Sequence, residues 1–244
     1  MPYLDGFVAA VPTAAKDKFV AHAKQMDSIF LDFGATRVVE TWGADVKPGK
    51  VTDFARAVQA TEDETVVFSW IEWPDKATRD EGMGKMMAPD FKDERMDETA
   101  NPMPFDGKRM IFGGFQPEVV HGSEAGAEYY QGFVLPVPEA KREAYFKMAE
   151  EAWPMFRKYG ALAVVEAWGD DVKRGKQTDF YRSVDATEGE KTVFSYLAWP
   201  SREACDAAAE KMQNDPDMKM PDDMPFDPQR MIYAGFEPLY VLEK

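Results

Sequence analysis

Glu40, Trp42, Asp53 and Arg56 lie close together in the chain, and Glu166, Trp168, Asp179 and Arg182 repeat them at a constant offset of 126 (166 − 40). A carboxylate, a guanidinium and an indole brought side by side could bind a small polar molecule. A carboxylate held among apolar groups has its pKa raised and becomes a usable general base near neutrality, while arginine supplies paired donors to an anionic or carbonyl group. The same residues serve equally well as a cross-strand ion pair, Glu40 with Arg56, that sets strand register.

Other chemistry finds less support. Lys47, Gly49 and Lys50 lack the glycine pattern and following helix of a phosphate loop and suit a charged hairpin turn. His22 is replaced by Met148 in the second copy and His121 lies near the middle of the chain, so the copies share no histidine metal site or haem ligand. Cys205 is the single cysteine and no nucleophile-elbow motif occurs. No cofactor and no metal are expected.

The elements that would carry these residues are themselves repeated. Between Val38–Pro74 and Val164–Pro200, 24 of 37 positions are identical without a gap. "MPFDGKRMIFGGF" from Met103 answers "MPFDPQRMIYAGF" from Met224, now at an offset of 121 (224 − 103) because the first copy carries five extra residues. Such a period is too long for a solenoid unit and divides the 244 residues into domains at 1–120 and 129–244, joined by a small polar linker at 121–128. Each copy starts with an apolar strand ending at Pro12 or Pro138. A helix follows, capped by Thr13 in the first copy and closed by Gly34 or Gly160. Pro154 falls inside the second copy's helix, where a kink is expected. Next come a strand through Glu40, a turn at Pro48 and Gly49, a strand over "DFARAVQA", and a strand ending at Pro74. Asp75 or Ser201 then caps a second helix before the last strand. That order is α+β, two ferredoxin-like domains in tandem. One face of each sheet lacks cover, which pairing sheet to sheet would supply.

Composition narrows the partners. The formal charge is −15 and both halves share the acidic excess, which repels nucleic acid. No apolar run approaches the ~20 residues of a membrane span, and the start lacks the features of a secretory signal, so a soluble, cytoplasmic protein is expected.

The runs "DGFVAAVP", "FGATRVVETWGADVKPGKVTDF", "VVFSWIEWP" and "MPFDGKRMIFGGF" resemble the YbaA-like domain of unknown function, placed among dimeric α/β-barrel proteins. The resemblance covers almost all of each half and implies an intrachain dimeric α/β barrel. It implies no activity. Some members carry a name linking them to a signal-recognition-particle RNA, and the acidic balance points away from RNA. The wider barrel superfamily includes cofactor-independent oxygenases, haem-handling enzymes and small-molecule isomerases, an analogy of fold alone. Two classes of function follow: a small-molecule binder or cofactor-independent enzyme built on the eight recurring residues, or a non-catalytic structural or interaction module.

Overall fold

Strong alternation and frequent β-branched residues make eight strands, and a computed structural model describing residues 2–215 and 223–244 closes them into one antiparallel barrel. The first repeat supplies β1 (Tyr3–Pro12), α1 (Lys16–Asp32), β2 (Arg37–Asp45), α2 (Phe54–Ala57), β3 (Glu64–Trp73), α3 (Lys76–Met86) and β4 (Ile111–Gly122). The second supplies β5 (Tyr129–Pro138), α4 (Arg142–Lys158), β6 (Ala163–Asp171), α5 (Phe180–Ser183), β7 (Glu190–Trp199), α6 (Arg202–Asn214) and β8 (Ile232–Glu243). Around the barrel the order is β1-β3-β2-β8-β5-β7-β6-β4, so the repeats join along β2–β8 and β4–β6. Closure removes the free edges that each four-stranded half would otherwise present.

The barrel interior is solid. Phe68 and Phe194, equivalent residues of the two repeats, stack in parallel with centroids 4.4 Å apart. Gly6 and Gly132 make room for them: a Cβ on Gly6 would sit 2.7 Å from the Phe194 ring, and one on Gly132 2.9 Å from Phe68. Phe54 and Phe180 enter beside these rings from α2 and α5. Further along β3 and β7, Trp70 stacks on Tyr196 at 4.3 Å.

Several local expectations hold. Asp75 accepts from the Thr78 amide and Ser201 from the Ala204 amide at the starts of α3 and α6. Gly34 and Gly160 take positive φ, the conformation that ends α1 and α4. Two expectations change. Thr13 does not cap α1; it begins a short 3-10 turn, and its hydroxyl pairs with that of Thr65. The segment "DFARAVQA" is not a strand: Asp53 accepts from the Arg56 amide and starts the short helix α2, and Gln59 leaves it at φ 53°. A short apolar run does not distinguish strand from helix by pattern, and here the barrel end accepts Phe54 on a helix. α4 continues through Pro154 to Lys158. β4 extends to Gly122, so the turn between the repeats begins at Ser123.

Candidate functional site

Alternation along β2 and β6 decides which side chains meet the helices. Val39, Val165 and Ala167 point into the barrel core. Glu40, Trp42, Glu166 and Trp168 therefore face outward, beneath α1 and α4. The space between the sheets is filled with aromatic rings, so any site built on Glu40 or Glu166 lies on the outside of the barrel, between sheet and helix.

Under α4 that space is open. A cavity of about 430 Å³ lies between α4 and the outer faces of β5, β6 and β7. Met148, Met155 and Phe156 of α4 form its roof, and Met224 and Phe226 close one side. In this apolar setting stand Glu166, Tyr145 and Ser195. The Tyr145 hydroxyl donates to Glu166 Oε2 over 2.6 Å, and Ser195 is the register partner of Glu166 on β7 and lines the same cavity. Glu166 borders the cavity and is half-buried there. Loss of hydration outweighs the hydrogen bond from Tyr145 and pushes its carboxyl up to about 7. The Tyr145 phenol moves well above its ordinary value, first through burial and then through the Glu166 charge, so it remains a donor. Trp168 stands beside the cavity, with Phe146 at 6.0 Å and the Arg142 guanidinium over its ring at 5.3 Å.

The first repeat builds the same place differently. Ser69 donates to Glu40 Oε2 over 2.5 Å. Phe19 stands where the second repeat has Tyr145, and Asp27 where it has Trp153. Buried Asp27 accepts from the Tyr240 hydroxyl over 2.5 Å. Burial pushes Asp27 up to about 7; burial and then the Asp27 charge raise Glu40 well above the usual carboxylate range. Buried His22 pairs its Nδ1 with Asn101 Oδ1 at 2.9 Å, and burial pushes its pKa down. Trp42 packs on Phe19 with centroids 6.4 Å apart.

The arginines and aspartates of the sequence motif lie elsewhere. Asp53 Oδ2 accepts from the Gly49 amide, and Arg56, half exposed, donates to the carbonyls of Val51 and Gly49. Asp179 and Arg182 repeat the arrangement: Asp179 takes the amides of Gly175 and Arg182. Asp53 and Arg56 border an open depression beside Val46 and Pro48. The expected pairing of Glu40 with Arg56 does not form, because Arg56 sits on α2 rather than on a strand next to β2. Arg56 and Arg182 pair instead with Asp53 and Asp179 of their own loops, and a further ion pair recurs as Arg109 with Glu64 at 2.6 Å and Arg230 with Glu190 at 2.7 Å, which pulls both glutamates down to about 2.

Tyr145, Asp27 and Tyr240 carry much of the local chemistry and were not anticipated from the motif. Their signal was departure from the repeat: Tyr145 against Phe19, Asp27 against Trp153. Among the described residues no group of three His, Cys, Asp or Glu side chains is arranged for a metal ion, and no helix is long and apolar enough to cross a membrane.

The closed antiparallel barrel with helices on its outer face defines an α/β-barrel protein. Solved structures share it: an anthrone oxidase-like protein has a TM-score of 0.53 at 13% identity, covering 99% of this chain and 92% of that one. A candidate monooxygenase from Lactobacillus acidophilus NCFM has a TM-score of 0.55 at 11% identity, covering 99% and 96%. The chain belongs to the DUF1428 family, described as proteins of unknown function, whose pattern matches twice, at residues 2–107 and 128–228. The uncharacterized protein YbaA of Escherichia coli K12 is 54% identical over 116 residues, which are 48% of this chain and 96% of YbaA. One YbaA length thus accounts for about half of this chain.

Proposed function

We propose that the chain is an intrachain dimeric α/β barrel, with ferredoxin-like domains at 1–120 and 129–244 paired sheet to sheet, and that it binds a small, mostly apolar molecule under α4. The observation that carries the reading is the Tyr145–Glu166 hydrogen bond at the wall of a 430 Å³, largely apolar cavity, a setting that pushes the carboxyl up to about 7. Such a group accepts a proton from, or returns one to, a weakly acidic C–H or O–H of the bound molecule. Tyr145 keeps the carboxylate aimed, and the methionine-lined roof adapts to the ligand's outline. This is the equipment of a cofactor-independent proton-transfer enzyme or of a binding protein for weak acids. In the first repeat, Tyr240 and Asp27 make a buried support beside Glu40, and that half serves structure.

The test is a titration of the purified protein with small phenols and ketones, followed by tyrosine and tryptophan fluorescence and by native mass spectrometry. Binding should be lost in Ala152→Trp, which fills the cavity, and binding or turnover should follow the ionisation of a group near pH 7 that Glu166→Gln removes. Binding unaffected by Ala152→Trp overturns this reading.

A further inference from the structure

The turn between the two repeats does more than connect them. Glu124 sends its side chain into the barrel end occupied by Trp70 and Tyr196. There, Glu124 Oε2 accepts from Arg37 Nη1 at 2.9 Å and from the Tyr130 hydroxyl at 3.0 Å, while Oε1 accepts from the Tyr196 hydroxyl at 2.7 Å. Arg37 comes from the first repeat, and the two tyrosines come from the second. Tyr130 and Tyr196 are 2% and 1% exposed, so without Glu124 their hydroxyls would lose the acceptor shown here in a place that water reaches poorly. Burial and the Glu124 charge push both phenols upward, which keeps them protonated as donors. Arg37 also binds Glu72 at 2.7 Å and Glu243 at 3.0 Å, and the Glu124 side chain keeps 14% of its surface accessible from outside.

This cradle lies outside the duplicated pattern. At the equivalent positions of the other repeat, Arg37 is answered by Ala163, Tyr130 by Leu4, Tyr196 by Trp70 and Glu72 by Ala198. Neither the guanidinium nor the two phenol hydroxyls thus has a counterpart at the equivalent place. Gly122 and Gly126, both at positive φ, shape the turn that delivers Glu124.

We propose that this barrel end is a carboxylate-binding site whose resident ligand is Glu124, and that a small free monocarboxylate occupies it when that side chain is removed. The turn is then a strut, holding β2 of one repeat against β5 and β7 of the other through one shared anion. The proposal is independent of the cavity under α4.

The experiment compares the thermal melts of wild type, Glu124→Ala and Glu124→Gln in sodium acetate and in sodium chloride of equal ionic strength. Glu124→Ala should melt about 5–10 °C below wild type in chloride, and acetate should recover most of that loss with a saturating dose dependence. Wild type and Glu124→Gln, whose side chains fill the place, should show no acetate-specific rise. Adding Arg37→Met to Glu124→Ala should remove the recovery. If Glu124→Ala does not fold in chloride, refolding it in acetate should yield native protein. A Glu124→Ala protein as stable as wild type, an equal acetate effect on all three proteins, or no refolding in acetate would each overturn the proposal.

Discussion

Tyr145 and Glu166 meet at 2.6 Å beneath α4, whereas their counterparts Phe19 and Glu40 have no such bond because phenylalanine brings no hydroxyl. In the second repeat the carboxyl faces a cavity; in the first it is tied to Ser69 and stands near a second buried acid.

Raised carboxyl pKa values make stability fall as pH rises. Glu166 titrates near 7 in the folded chain and near 4.5 when unfolded, so between those values the native state holds the extra proton. Stabilisation is greatest below pH 4.5 and is lost on passing through 7, by up to about 3 kcal/mol. Glu166→Gln should flatten this slope between pH 5 and 8 and melt higher than wild type at pH 8. Asp27 and Glu40, shifted in the same direction, leave a residual slope. Denaturant melts across that pH range check this, and a slope unchanged by the substitution would contradict the Glu166 assignment.

Arg79 is expected to be among the most sensitive surface-to-core positions. It reaches Asp5, which has no exposed surface, through Nη2 at 2.7 Å, and Trp73 Nε1 binds the same carboxylate at 2.9 Å. Arg79→Met should cost about 3–5 kcal/mol by leaving a buried charge without its cation. Combining it with Asp5→Leu should recover part of the loss in urea melts.

Gly6→Ala and Gly132→Ala should each destabilise the barrel by about 1–3 kcal/mol, since the added methyl meets the Phe194 or Phe68 ring below contact distance. The two stacked rings share one space, so the double variant should depart from additivity in a mutant cycle.

Arg56→Met should change stability by about 1 kcal/mol or less, because the guanidinium is half exposed and binds only its own loop and Asp53. Asp53→Ala, which removes the α2 cap and the Gly49 contact, should cost more, about 1–2 kcal/mol. The ranking of the two in a melt is the measurement; the reverse order would show that Arg56 has a role beyond the loop.

Local order was legible in the sequence because it is written locally. The doubled phrase around Glu40 and Glu166 marked two like halves, Asp75 and Ser201 marked helix starts, and Gly34 and Gly160 marked helix ends, all through backbone hydrogen bonding and steric limits that act within a few residues. Closure into a barrel belongs to tertiary structure. Only once β2 paired with β8 and β4 with β6 did one face of every strand become interior, which sent Val39 inward and Glu40 outward. The same packing drew Phe54 into the barrel end and made a helix where a strand was expected. It also placed Tyr145 on Glu166, 21 residues away in the same repeat, and joined Tyr240 to Asp27 across the two repeats, 213 residues apart. Side chains that far apart along the chain become neighbours through the burial of whole faces, and no spacing within either repeat encodes that.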